Sequence, residues 1–148
     1  MVWESNNRPL VGGFFMLLVV ATAPSGCGPA DGPRCQPVVG QVLYRGRPVP
    51  EALVVFHPAR APDGNWPKPM ATCDAEGRFA LTTWSSHDGA PLGEYTVTIE
   101  CRAPSMRGEE IVRDGPNQLP PRYAAPGSSD LRVTVAAGEN KLPPFRLQ

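Results

Sequence analysis

Apolar and polar side chains alternate with a period of two along most of the chain after Val38. The cleanest example is the segment "EYTVTIEC", in which Tyr95, Val97, Ile99 and Cys101 share one face. Such alternation is typical of a strand with one face buried and the other exposed. We therefore predict that this segment is a strand of the hydrophobic core.

The same pattern recurs in four other segments, which predicts further strands separated by turns and loops. Their inward-facing residues are expected to be Val38, Gly40, Val42 and Tyr44; Ala52, Val54 and Phe56; Phe79 and Leu81; and Leu131, Val133 and Val135. A turn is predicted at "DAEG", where Gly77 is placed to adopt a positive φ. The final segment "KLPPFRLQ" contains Pro143 and Pro144, which cannot donate to a central ladder, so it is predicted to be an edge strand.

Seven short strands in roughly 110 residues, without an amphipathic helix, predict an all-β protein built as a two-layer antiparallel sandwich. The composition agrees, because 15 Gly and 19 Pro are more than a helical domain tolerates. One stretch, Arg102 to Asp130, is longer than loops usually are. It is expected to contain a strand or a short helix around "GEEIVRD", and the pattern leaves these two alternatives open.

The segment before this domain contains one long apolar run, "LVGGFFMLLVVATA", at residues 10–23. This run has the length of a signal-peptide core and is shorter than the roughly 20 residues of a membrane-spanning helix. We therefore predict a signal peptide at residues 1–26. An ordinary cut after Ala23 is disfavoured, because Pro24 follows it and lacks a backbone N–H.

The four residues "PSGC", Pro24 to Cys27, offer a second cleavage site. They resemble the lipobox of bacterial lipoproteins, although Pro24 stands where that family usually has Leu. The resemblance implies that Cys27 receives a diacylglycerol and becomes the new amino terminus. The alternative is that Cys27 is a buried or disulfide-bonded residue. We expect a lipoprotein of the bacterial cell envelope, anchored in a membrane and followed by a Pro/Gly-rich tether at residues 27–37.

Lipidation of Cys27 leaves three cysteines, Cys35, Cys73 and Cys101. An oxidising compartment allows a disulfide between Cys73 and Cys101, and three free thiols are the alternative. His57, His87, Cys73 and Cys101 are residue types that bind metal ions, so a metal site formed from them is an alternative. Because these side chains need not converge, we expect no metal and no cofactor.

Several segments together resemble a known family. They are "VVGQVLYRGRPVPEALVVFHP", "DAEGRFALTT", "DGAPLGEYTVTI" and "LPPRYAAPGSSDLRVTVAAGENKLPPFRL". In this order they look like the carboxypeptidase regulatory-like, transthyretin-like domains of bacterial exported lipoproteins. The resemblance implies a seven-stranded, prealbumin-like Greek-key sandwich over residues 38–148. It also implies a non-catalytic folding, adhesive or accessory module.

The same sandwich fold also occurs in an enzyme family, the hydroxyisourate hydrolases. That family uses an amino-terminal His, an Arg, a second His and a carboxy-terminal Tyr-Arg-Gly-Ser signature. Here the first strand has no His, the chain ends "PFRLQ", and only His57 and His87 are present. We therefore expect no enzymatic activity, with a hydrolase of this type or a metal-binding envelope protein as the alternatives.

In an up-and-down sandwich, alternate loops lie at the same end. This grouping would bring Trp66, Trp84, His87 and Asp88 to one rim, with Glu139 and Asn140 beside them. Exposed Trp beside polar groups suits stacking on a sugar or binding a peptide. The alternative is that both Trp residues cover core edges. We predict a candidate binding rim for a protein or glycan partner.

The chain carries 14 basic and 14 acidic residues, so its net charge is zero and nothing favours nucleic acid as a partner. Glu109, Glu110 and Asp114 are expected to form a solvated surface. A further set of apolar residues falls on the outward faces of the predicted strands: Val39, Leu43, Leu53 and Val55. We expect this outer face to be covered by the segment from Arg102 to Asp130, or else by a partner.

Overall fold

The computed structural model describes residues 33–60 and 66–148, so the predicted signal peptide and Cys27 lie outside the described residues. The described chain is all-β, as predicted, and contains one short 3-10 helix, η1, at Pro121–Tyr123. The strands are β1 (Cys35–Gln36), β2 (Val38–Tyr44), β3 (Arg47–Pro48), β4 (Leu53–Pro58), β5 (Met70–Thr72), β6 (Arg78–Ala80), β7 (Ala90–Pro91), β8 (Gly93–Glu100), β9 (Ser105–Arg107), β10 (Glu110–Val112), β11 (Arg132–Val135), β12 (Asn140–Lys141) and β13 (Phe145–Leu147).

Four strands form an antiparallel sheet in the order β11-β8-β4-β5, which we call the front sheet. β8 lies inside it, between β4 and β11, as its regular alternation predicted. Val54 of β4 pairs with Ile99 of β8, and Val133 of β11 pairs with Tyr95. These paired side chains share the inward face, so the register directs the inward apolar residues of β4, β8 and β11 toward the core.

The second sheet is built around β2, and we call it the back sheet. β6 and β3 pair antiparallel with one side of β2, and β12 and β13 pair with the other side. β12 and β13 run parallel to β2, so the prediction of a wholly antiparallel arrangement is wrong at these two pairings. The reason is that the chain reaches them by crossing over from β11 of the front sheet rather than through a hairpin.

The inward faces of the two sheets share one hydrophobic core, which makes the fold sandwich-like. Val42 from the back sheet and Val54, Phe56 and Val97 from the front sheet are all 0 % exposed, as the period-two pattern predicted. Burying a side chain of this size stabilises the fold by about 1.5–3 kcal/mol. The rings of Phe79 and Phe145 in the back sheet stack with their centroids 6.1 Å apart.

The turn predicted at "DAEG" is present and connects the two sheets. Asp74 Oδ1 accepts hydrogen bonds from the backbone N–H of Glu76 at 3.0 Å and of Arg78 at 2.8 Å. Gly77 has a φ of 71°, as expected for its place in the turn. A Cβ at Gly77 would also lie 2.6 Å from the carbonyl oxygen of Val42, so the turn fits closely against β2.

The long segment from Arg102 to Asp130 contains both a hairpin, β9–β10, and the helix η1. Asn117 accepts a hydrogen bond from the Cys101 N–H at 3.0 Å, which holds the segment to the end of β8. Tyr123 of η1 is buried, and its hydroxyl accepts a hydrogen bond from the Gln148 N–H at 3.3 Å. The segment therefore closes one end of the core.

The four outward apolar residues do not form a single face. Val39 and Leu43 lie on the back sheet, whereas Leu53 and Val55 lie on the front sheet. Leu53 remains 40 % exposed among the described residues. The expectation that the segment from Arg102 to Asp130 covers this residue is therefore wrong, because that segment packs at the end of the sandwich.

The domain begins earlier than Val38. Cys35 and Gln36, assigned to the tether from the sequence, form β1 and pair antiparallel with Pro91 and Ala90 of β7. The sequence pattern gives no sign of this short strand, because Pro33 and Pro37 lie on either side of it.

Within residues 33–60 and 66–148, no helix is long and apolar enough to cross a membrane.

Candidate binding rim at one end of the sandwich

Three connections between strands lie at the end of the sandwich where β1 enters, because Pro58 pairs with Tyr95, Val135 with Gly93 and Asn140 with Val38. Their described residues are 59–60 and 66–69, 85–93, and 136–140. The Ala59 N–H donates to the carbonyl oxygen of Glu94 at 2.8 Å, which ties the first loop to the start of β8. The Gly138 N–H donates to Oε1 of Gln36 at 2.8 Å, and β1 pairs with β7 in the second loop.

Trp66 and Trp84 both lie in connections at this end, and each is 37 % exposed. Their placement follows from a reciprocal backbone bridge between Met70 and Thr82, with N···O distances of 3.0 and 2.9 Å. The bridge is antiparallel, so the chain preceding Met70 and the chain following Thr82 leave it in the same direction. We use the name Trp rim for the surface formed by Trp66, Trp84, His87 and Asp88.

Asp88 organises the loop that carries Trp84. Its carboxylate accepts three consecutive backbone N–H groups, from Thr83 at 2.7 Å and from Trp84 and Ser85 at 3.0 Å each. Burial acts to raise the pKa of Asp88, but these hydrogen bonds outweigh it and hold the pKa below its ordinary value. The sequence offered Asp88 as a contact for a ligand, whereas the structure shows a carboxylate that positions Trp84.

His87 lies next to this carboxylate and has an unusual backbone. Its φ is 59°, and its N–H donates to Oγ1 of Thr82 at 3.0 Å, while the residue as a whole is exposed. The loop therefore constrains the main chain and leaves the imidazole on the surface. The Trp rim thus presents two exposed indole rings and one exposed imidazole, and hydrogen bonds hold the backbone that carries Trp84 and His87.

The third loop is held in a similar way by Asn140. Its Oδ1 accepts the Ala136 N–H at 2.9 Å, and its Nδ2 donates to the carbonyl oxygens of Ala136 and Gly138, each at 2.9 Å. Glu139 forms an ion pair with Lys141 at 3.5 Å. Asn140 and Glu139, the two polar residues expected beside the rim, are therefore bonded to the backbone of their own loop and to Lys141, respectively.

The residues weighed as a metal site do not converge. His57 lies on the outer face of the front sheet, with Nε2 2.9 Å from Oγ1 of Thr98. Burial and the nearby charge of Lys68 lower the pKa of His57, which favours its neutral form. In the part of the chain that the structure describes, no group of three His, Cys, Asp or Glu side chains could hold a metal ion.

The disulfide that the sequence allowed between Cys73 and Cys101 is not formed, and both residues are buried free thiols. Leu53 of β4 pairs with Thr72 on one side and with Glu100 on the other, so β4 lies between the two cysteines. Two strand spacings separate their Cα atoms by about 9.5 Å, and a disulfide tolerates about 7 Å at most. Sharing an inward face therefore does not bring these thiols within bonding distance.

Thiol alkylation tests this arrangement. Burial raises the pKa of Cys73 to about 12 and also raises the pKa of Cys101, so neither is a thiolate at neutral pH. We expect both to react with iodoacetamide only after denaturation, and to the same extent with or without prior reduction. Peptide mass mapping measures the result, with the half-buried Cys35 as an internal comparison. If Cys73 and Cys101 were labelled only after reduction, the two residues would be shown to form a disulfide.

Cys35 is the rim residue that the sequence did not reveal. Its half-buried thiol lies beside Thr83, Trp84 and Asp88, and burial raises its pKa. The hydroxyl of Thr83 donates to the carbonyl oxygen of Gly89 at 2.6 Å, which closes the loop behind it. Alternation gives no signal here, because β1 has only two residues.

A surface cleft of about 730 Å³ lies near the rim, along β2, β6 and the edge of β5. Its wall includes Arg78, which is paired with Asp74 at 3.3 Å and with Glu76 at 3.2 Å. Cys73 also lines the cleft, but its raised pKa keeps the thiol protonated. The charge of Arg78 in the cleft wall is thus already paired with two neighbouring carboxylates.

Comparison of the chain with models of protein families, with curated proteins and with solved structures found no match.

Proposed function

We propose that this protein is an exported, lipid-anchored, non-catalytic β-sandwich module of the bacterial cell envelope that offers a surface for contacts with a protein or a glycan. The proposal includes membership of the carboxypeptidase regulatory-like, transthyretin-like class and its prealbumin-like, seven-stranded Greek-key arrangement. The observation that carries it is the Trp rim, where Trp66 and Trp84 are both 37 % exposed at one end of the sandwich.

The rigidity of the rim supports a role in binding. Trp84 is held through three hydrogen bonds to Asp88 from its own backbone and from its two neighbours. A surface that is already ordered loses little conformational entropy when a partner binds. Trp adds a large apolar area together with one polar N–H, a combination that is enriched at binding surfaces.

The placement of the histidines favours a binding module over a hydrolase. His57 is engaged with Thr98 on the front sheet, and His87 lies in the loop after Thr82. General acid–base chemistry requires such groups within hydrogen-bonding reach of one substrate. Two histidines on different surfaces do not meet this requirement, and the thiol of Cys73 is held in its protonated form by burial.

Metabolic labelling with a fatty acid tests the anchor. Wild-type chain expressed in a bacterium is expected to incorporate label and to fractionate with membranes, because Cys27 is the proposed acceptor. Cys27→Ala should lose nearly all label and leave the membrane fraction. Cys35→Ala is the matched control and should be labelled like wild type, since Cys35 lies within β1. Equal labelling of wild type and Cys27→Ala would overturn the anchor.

A further inference from the structure

We propose that the Trp rim rests on the lipid surface in which the chain is anchored, and that the β9–β10 hairpin points away from it. This inference rests on the proposed lipidation of Cys27 and commits the rim to lipid headgroups in the anchored protein. A protein or glycan partner of the rim would then be bound at the membrane surface.

The chain enters the domain through the rim itself. Cys35 is the first residue of β1, and its thiol lies beside Trp84 and Asp88. Gln36 is bonded to Gly138 and paired with Ala90, so the entry point is held by two of the three rim loops. An anchor at Cys27 is therefore attached to the domain at this end, through the residues that precede β1.

The anchor is close to the rim along the chain. Cys27 precedes Cys35 by eight residues, which reach about 28 Å even when fully extended. The eight residues of β8 run from the rim toward the other end of the sandwich and span about 26 Å. Since the tether is at most about as long as the domain, the rim is the part of the domain nearest the lipid on average.

The chemistry of the rim suits a membrane interface. Trp is enriched at the level of lipid headgroups, and basic side chains are attracted to anionic lipids. Lys68 and Arg34 are exposed at this end and form no salt bridge with a carboxylate in the described ranges. Of the acidic groups that the structure describes at this end, Asp88 is bonded to the backbone and Glu139 is paired with Lys141, while Glu94 is exposed.

The opposite end carries the most exposed apolar pair among the described large side chains. Met106 of β9 and Ile111 of β10 are direct cross-strand partners and are 67 % and 69 % exposed. The hairpin follows the end of β8 that is farther from the rim, and Arg113 ties it there to Glu51 at 3.4 Å. With the rim on the membrane, this pair remains accessible from solution.

Depth-dependent quenching of tryptophan fluorescence tests the orientation. The full chain, purified with its native processing, is reconstituted into vesicles of phosphatidylethanolamine and phosphatidylglycerol that carry a nitroxide at the headgroup. A chain cut before Cys27 retains only Trp66 and Trp84 of its three tryptophans. In the single-tryptophan variants Trp66→Phe and Trp84→Phe, the remaining indole is expected to lose about half of its emission, as an interfacial residue would.

The matched control moves the reporter to the far end. Met106→Trp in the Trp66→Phe, Trp84→Phe background places one indole on the hairpin, where its exposed position accommodates the larger ring. This variant should show no quenching. The variant with both Trp66→Phe and Trp84→Phe, and without Met106→Trp, keeps only Trp3. Any emission from this variant therefore measures the fraction of chains that keep the amino-terminal segment.

Flotation of the vesicles on a density gradient separates the two levels of the proposal. Protein that floats while Trp66 and Trp84 remain unquenched overturns the orientation and leaves the anchor in place. The orientation is also overturned if the Met106→Trp indole is quenched as strongly as Trp66 and Trp84. It is overturned as well if a soluble glycan or protein shifts the emission of Trp66 and Trp84 while lipid has no effect on it. A wild-type chain that does not float removes the anchor, and the orientation with it.

Discussion

Gly89→Ala is expected to lower the free energy of unfolding of the domain by about 3 kcal/mol. Gly89 has a φ of 91°, which a residue with a Cβ adopts only at a cost. A Cβ there would lie 1.8 Å from the carbonyl oxygen of Gln36, and this backbone atom cannot move without separating β1 from β7. The change therefore adds a backbone clash to conformational strain and disturbs the point where the chain enters the rim.

Gly138→Ala separates these two costs. Gly138 has a nearly identical φ of 93°, but nothing lies within 4 Å of the position that its Cβ would take. This variant should lose only the conformational part, about 1 kcal/mol. Urea unfolding followed by tryptophan emission measures both variants. Equal losses at Gly89 and Gly138 would show that β1 does not fit closely against the loop.

Asp88→Asn is expected to cost about 2 kcal/mol of stability near neutral pH, because an amide replaces a carboxylate that accepts three backbone N–H groups. The amide can accept hydrogen bonds at one atom only and carries no charge. The segment from Thr83 to Ser85 then loses part of its support, so the emission of Trp84 should also change. Urea unfolding at several pH values measures the loss.

The pH dependence of this loss has a definite sign. The folded pKa of Asp88 lies below its ordinary value, which is about 3.9 in an unfolded chain. The stabilisation is therefore fully present above about pH 4 and disappears as the pH falls through the lowered folded pKa. Wild type and Asp88→Asn should differ at neutral pH and converge in acid, while the other carboxylates, common to both proteins, cancel in the difference.

Asp130→Asn is the control for this experiment. Asp130 is exposed, and its carboxylate accepts no hydrogen bond from the residues that the structure describes. Its replacement should change the stability by less than about 0.5 kcal/mol at every pH. A loss for Asp88→Asn that is the same in acid and at neutral pH would mean that shape, rather than charge, sets the role of this residue.

The alternation of side chains was sufficient to predict the longer strands and their buried faces, but not the short strands β1, β3 and β7. Val54, Phe56 and Val97 are fully buried because each stands on the inward face of a strand that pairs along its length. Alternation depends only on the local geometry of a strand, so it assigns faces without any knowledge of neighbours. The core was therefore predictable one segment at a time.

Neighbours in the sheets were not predictable in this way. Phe145 pairs in parallel with Val42, a residue far away in the sequence, and no local signal specifies that partner. Cys101 was correctly assigned to an inward face and Cys73 is buried as well, yet β4 separates them. A face assignment says which residues meet the core, but not which strand lies between two of them.

The candidate site was predictable in its position and not in its internal bonding. The order of the strands placed Trp66 and Trp84 at one end, because loops that alternate along the chain fall on the same side. The partners of Asp88 are backbone N–H groups, which every residue carries, so composition gives no clue to them. Cys35 was missed because a strand of two residues leaves no periodicity to detect.

The parallel pairing of β12 and β13 with β2 also determines when the back sheet can be completed during synthesis. β2 is made about 100 residues before residues 140–147, which cover one of its sides. Until they are available, β2 presents an unpaired edge that other chains could join. The protein thus depends on keeping a nascent, incomplete back sheet apart from other chains until residues 140–147 have been made.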